Sequence, residues 1–79
     1  MNLQVNKKNK AYQALVKASR EKNLSLADFM DKEAHTDEVC DIIYKNMNMA
    51  LRMVLSKDKF KTMFVSEKSS VIDLFKNAA

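Results

Sequence analysis

The sequence predicts a mainly α-helical protein in which one short N-terminal β-strand precedes four to five helices. Three observations lead to this expectation. Glycine and proline are both absent from the 79 residues, so the residues that most often interrupt helices are missing and breaks fall to Asn, Ser, Thr and Asp. Asn2-Leu3-Gln4-Val5-Asn6 alternates with the period of a strand, Leu3 and Val5 on one side and three amides on the other. From Lys8 the period changes, and Ala11, Ala14, Leu15 and Ala18 recur at i, i+3, i+4 and i+7, one stripe of an amphipathic helix.

The first helix is expected from Lys8 to Lys22, with Asn6 as its N-cap. It should stop at Asn23, because asparagine ranks next to glycine in tolerating the left-handed conformation used at helix C-caps. Ser25 is placed to cap a second helix, with Asp28 at the third position as a weaker form of the capping box. Leu24 and Phe29 then occupy the positions of a hydrophobic staple, and Leu26, Phe29, Met30 and Ala34 continue the apolar stripe, expected to pack on Leu15 and Ala18. Thr36 is read as the cap of a third helix reaching Leu55, whose first turn holds Asp37 and Glu38 at the positive end of the helix dipole. Along it Cys40, Ile43, Met47, Ala50 and Val54 form a stripe that Val39, Ile42, Met49, Leu51 and Met53 widen beyond a single seam. Ser56 and Asp58 should break the pattern before a short helix presenting Phe60, Met63 and Phe64, and Ser70-Val71-Ile72-Asp73 should open a last one that buries Val71, Leu74 and Phe75.

A short strand with an amide-rich face, followed by two helices split by a turn, resembles the ribbon-helix-helix family of DNA-binding dimers over residues 2–34, under half of the chain. The resemblance implies that strands from two subunits pair into a ribbon in the major groove. Asn2, Gln4 and Asn6 are then the base readers, since a side-chain amide matches the donor and acceptor of adenine. Ser25, at the start of the second helix, joins the implied DNA-contacting set. The chain departs from the family in offering Asn23 where members often carry glycine, and in a ribbon face without Arg or Lys. Phosphate contacts are therefore expected from the flanking Lys7, Lys8 and Lys10. On this reading residues 1–34 form a DNA-binding and dimerisation unit and residues 35–79 a helical region for oligomerisation or partner binding, the two also being compatible with one continuous domain.

Composition bounds the alternatives. An apolar content of 47% with 30% charged residues belongs to a folded chain rather than a disordered tail. A chain this short buries a limited share of its surface, which makes association with a second subunit a reasonable expectation. No stretch approaches the roughly 18 apolar residues of a membrane span and no apolar secretory core opens the chain, so a cytoplasmic location away from the membrane is expected. The net charge of +4 is unevenly spread: residues 1–32 carry +4, residues 33–43 carry −4 and residues 44–79 carry +4. Two basic blocks around an acidic one suit a surface that meets a polyanion locally, while Lys-rich helical faces are also commonly just solvated.

Little in the sequence points to catalysis or to a cofactor. With one His and one Cys, and carboxylates dispersed along helix surfaces, convergent polar groups are scarce. His35 and Cys40 stand five apart, off a common helical face, and no further His or Cys completes a metal site. Cys40 reads as a small core residue, and the six methionines read first as core fillers and second as lining for an adaptable protein-binding surface. The leading functional expectation is a small dimeric DNA-binding regulator of repressor or antitoxin type. The alternative is a helical adaptor or inhibitor that does not bind DNA and works through residues 39–55. A helix-turn-helix over Ser25 to Tyr44 ranks last, because Asp37, Glu38 and Asp41 would face phosphates.

Overall fold

The computed structural model describes residues 5–78. Its first ordered feature is a turn: Asn6 accepts from Asn9 N through its carbonyl at 2.8 Å and from Lys8 N through Oδ1 at 2.8 Å. These bonds commit Asn6 to a local turn, which is how asparagine competes with extended structure. The expected strand is thereby corrected, since among the described residues there is no strand and Val5 instead lies half-buried against the core. Asn2 and Gln4, the other amides of that segment, lie outside the described residues.

Helix α1, Lys10–Glu21, begins two residues later than expected, because Asn9 rather than Asn6 caps it, with Oδ1 accepting from Ala11 N and Tyr12 N at 2.8 and 3.1 Å. Its C-terminus follows the sequence reading. Asn23 has φ of 57°, the one positive φ of the described chain, while Leu24 N donates to Ser19 O at 2.9 Å and Asn23 N to Arg20 O at 3.0 Å. That pair of bonds is a Schellman motif, and it places Leu24 against the core before the next helix starts. Helix α2, Leu26–Asp31, is capped by Ser25, whose Oγ accepts from Asp28 N at 3.1 Å. One 3-10 turn, Glu33–His35, then leads into α3, Thr36–Lys45. Thr36 is the first residue of α3 rather than its cap, and it is buried there.

The long third helix expected to reach Leu55 is two helices. α3 stops at Lys45, and α4, Met49–Val54, follows. Asparagines cause the break: Asn46 Nδ2 donates back to Ile42 O at 2.8 Å, and Asn48 Oδ1 accepts from Ala50 N at 2.7 Å as a new N-cap. Tyr44 holds the two helices together, its hydroxyl lying 2.8 Å from Leu55 O and 3.2 Å from Arg52 O. Ser56 caps α5, Lys57–Ser66, through Oγ accepting from Lys59 N at 3.2 Å. The last helix, α6, is Lys68–Lys76 and starts two residues before the expected Ser70.

The helices surround one apolar cluster. Leu15, Phe29, Met30, Val39, Cys40 and Phe64 are its most completely buried members, and Ala11, Ile43, Phe60 and Phe75 extend it. α3 is central, packing on α1 and on α5, and α2 packs on α6. The cluster thus draws on residues from both sides of His35. Each fully buried Val, Leu, Ile, Met or Phe withdraws enough apolar surface to contribute about 1.5–3 kcal/mol, and α1, α2, α3, α5 and α6 all supply buried apolar residues. α4 supplies none.

Candidate interaction surface

Folding redistributes the charge blocks of the sequence. Three of the four acids of the acidic block, Asp37, Glu38 and Asp41, sit on α3, and their carboxylates are met by lysines from elsewhere. Lys57 Nζ lies 2.6 Å from Asp41, Lys61 pairs with Asp37, and Lys22 Nζ lies 3.0 Å from both oxygens of Glu38. Lys22 also stands 5.2 Å above the ring of Phe29, and Lys68 donates to the carbonyl of Asp31. The hydrogen bond and charge of Lys57 hold the Asp41 carboxyl below its ordinary range, and the partners Asp41 and Asp37 raise Lys57 and Lys61 in turn. The pairs of Lys57 and Lys61 are exposed, so they align α3 with α5 more than they stabilise it.

The residues singled out as DNA contacts are described only in part. Asn2 and Gln4 lie outside the described residues; Asn6 is exposed with its oxygen engaged by Lys8 N; Lys7 and Lys8 are exposed in the turn before α1. Ser25, two helix ends away, spends its oxygen on capping α2. Nor does a catalytic pair form. Cys40 is buried and free, and burial pushes its thiol above the ordinary value, so the reactive thiolate is disfavoured. His35 lies against Phe29, ring centroids 5.4 Å apart, and among the described residues no group of three His, Cys, Asp or Glu is placed to hold a metal ion. Two open hollows flank these pairs, one of about 440 Å³ between α2 and α6 and one of about 400 Å³ between α3 and α5. Their lysines, Lys68 and Lys61, are already engaged by Asp31 and Asp37. Among the described residues no helix is long and apolar enough to cross a membrane.

What the structure does assemble is an apolar surface on α4. Met49, Leu51, Met53 and Val54 are 68, 54, 82 and 79% exposed, and the helix contributes no buried residue. At 100° per residue, Met53, Met49, Ala50, Val54 and Leu51 cover more than half of the helix circumference. The one charged residue of α4, Arg52, is half-buried, and its Nε is enclosed without a hydrogen-bond partner. The apolar arc from Met49 to Leu51 includes no charged residue. Two tethers hold α4 in place: the Tyr44 hydroxyl at its C-terminal carbonyls, and Leu55, which follows it and packs partly on the core. On α5, Met63 and Val65 add further exposed apolar side chains. Monomeric surfaces rarely group large apolar side chains in this way unless something covers them.

The sequence reading takes residues 39–55 as a partner-binding stretch but runs one helix and one apolar stripe from Cys40 through Ala50 and Val54. Continuing one helical period across Asn46 to Asn48 caused that misassignment. The signal available was the pair of asparagines flanking Met47, each able to cap. Comparison with protein-family models, curated proteins and solved structures returned no match to this chain.

Proposed function

We propose that this protein is a small helical interaction module whose working surface is α4. The observation that carries this reading is the exposure of Met49, Leu51, Met53 and Val54 on a helix that gives nothing to the core. A short helix of this kind adds little to folding, so its apolar composition is accounted for by an external partner. Methionine suits such a surface because its flexible thioether adapts to different shapes.

The occupant is an amphipathic helix with acidic flanks. Of the exposed bases that flank α4 in the chain, Lys57 is paired with Asp41, while Lys45 and Lys59 have no ion-pair partner among the described residues and complement acids at the rim of an apolar contact. A second copy of this chain would set those same bases against each other. Of the two grounds for a homodimer, the strand that needs a partner strand lapses with the strand, while the limited burial of a short chain is met equally by a different partner. Burying a Met, Leu or Val is worth about 1.5–3 kcal/mol, of which ordering the partner consumes a part, leaving about 1–2 kcal/mol per anchor.

The test uses the full chain and a synthetic helical peptide with leucines at i, i+4, i+7 and glutamates at its rims. Backbone amide shifts recorded on titration should change over residues 49–55, and Met53→Asp with Val54→Asp should abolish the change without lowering the melting temperature. Shifts centred on another element, or equal binding by the double variant, would refute the reading. So would concentration-dependent dimerisation through α4, or vesicle binding stronger than peptide binding.

A further inference from the structure

The net charge of the molecule is concentrated at one end of the chain, and the fold keeps it there. Residues 7–22 carry Lys7, Lys8, Lys10, Lys17, Arg20 and Lys22 against the single acid Glu21, a net of +5, whereas residues 23–79 carry eight bases and nine acids, a net of −1. The second basic block of the sequence does not produce a second basic surface, because Lys57 and Lys61 are spent on Asp41 and Asp37, and Lys68 on the Asp31 carbonyl. At the N-terminal end only Lys22 is used in this way, on Glu38. Lys7, Lys8, Lys10, Lys17 and Arg20 are exposed and make no ion pair among the described residues.

The geometry of α1 aligns what remains. Lys10, Gln13, Lys17 and Arg20 are spaced three, four and three apart, which puts them on one helical face, opposite the face that buries Ala11, Leu15 and Ser19. From Lys10 to Arg20 the face runs about 15 Å at 1.5 Å per residue, comparable to the axial rise of about four nucleotides of one duplex strand at 3.4 Å each. Lys7 and Lys8 extend it at the N-terminal end. Glu21, beside Arg20, is its only acid.

We infer that this face binds the phosphate backbone of double-stranded nucleic acid without reading base sequence. The ligand class follows from what accompanies the charge. None of the exposed large apolar residues lies on α1: they are on α4 and α5, and the apolar side chains beside the basic face, Tyr12 and Val16, are half-buried in an open hollow of about 490 Å³ that Gln13, Lys17, Arg20 and Glu21 also line. A protein partner needs an apolar centre to its contact, and an amphipathic helix inserted in a lipid surface needs an apolar face to insert. Single strands are held by aromatic platforms, and here only half-buried Tyr12 borders the face. A rigid row of phosphates needs neither. This inference concerns α1 alone and stands independently of the role proposed for α4.

Fluorescence anisotropy of the full chain with a 20-base-pair duplex, titrated from low to moderate salt, tests it. Contact with three to five phosphates gives a slope of log K against log salt of about −2.7 to −4.5. Replacing Lys17 and Arg20 with Gln should lower affinity at least about tenfold at 0.1 M salt and make the slope shallower by about 1.8. Replacing Lys7 and Lys8 with Gln should act in the same direction. Replacing Lys32 and Lys76, which removes equal charge elsewhere, should change affinity less than threefold, and circular dichroism confirms that each variant is folded. The inference is overturned by a parent slope no steeper than −1 or by a Lys32 and Lys76 variant that loses as much as the α1 variant. It is equally overturned by tighter binding to a single strand of the same sequence, or to anionic phospholipid vesicles, than to the duplex.

Discussion

Tyr44→Phe removes one oxygen from a contact on which the position of α4 depends. The hydroxyl lies 2.8 Å from Leu55 O and 3.2 Å from Arg52 O, and having one proton it donates chiefly to the nearer carbonyl. Phenylalanine keeps the ring, whose centroid lies 6.1 Å from that of Phe60, so packing beneath α4 is preserved and the hydroxyl alone is tested. A hydrogen bond of this kind contributes about 0.5–1.5 kcal/mol net, and the site is only part-buried, so water replaces some of the loss and about 1 kcal/mol is expected. That is about a fivefold change in an opening equilibrium. Because α4 buries no side chain, it should open locally, without the rest of the molecule. The readout is amide hydrogen exchange at Arg52 and Leu55, whose N–H groups donate to Asn48 O and Leu51 O at 3.1 and 2.9 Å. Both should exchange about fivefold faster in the variant, while the buried stretches of α1 and α3 keep their parental rates. Unchanged exchange at Arg52 and Leu55 would show that the hydroxyl is not the tether. A uniform acceleration through α1, α3 and α4 would show that α4 belongs to the global folding unit, and the reasoning would fail.

Two further outcomes are expected. At Asn23, with φ of 57°, glycine should be neutral or stabilising by up to about 1 kcal/mol and valine destabilising by about 1–2 kcal/mol, measured by urea unfolding; a valine variant as stable as the parent would contradict the left-handed C-cap. Asp41 has a folded pKa lowered by Lys57, so its contribution is present above the ordinary value of 3.8 and is lost as the pH falls through the lowered one. Lys57 and Lys61, raised above 10.5, contribute below that value and lose their contribution as the pH rises through the raised one. Asp41→Asn should therefore lower the melting temperature slightly at pH 7 and have no effect near pH 2, and added salt should shrink the difference at pH 7; a difference that persists at pH 2 would mean that the ion pair is not its source.

The sequence by itself determined the features that depend on neighbouring residues. The absence of glycine and proline favours helix, and the cap at Ser25, the break at Ser56 and the left-handed turn at Asn23 are visible because each uses a side chain or a φ preference within a few residues of the bond it makes. The buried stripe of Leu15, Phe29 and Met30 and the pairs Phe60 with Phe64 followed from periodicity for the same reason. Where two local solutions compete, neighbouring residues do not decide. Residues 2–6 satisfy a strand pattern, yet Asn6 closes a turn onto Asn9 and Lys8, and residues 46–48 satisfy a continuing helix, yet two asparagines stop and restart it. The candidate sites depended on tertiary structure still more. An apolar residue looks the same in sequence whether it is covered or not, and only the packing of α3 between α1 and α5 leaves Met49, Leu51, Met53 and Val54 outside the core. Likewise the two basic blocks are equal in sequence. Only the approach of α5 to α3 cancels one of them, because ion pairs form between residues 16 to 24 positions apart along the chain, and that distance is closed by burial of the core rather than by any local preference.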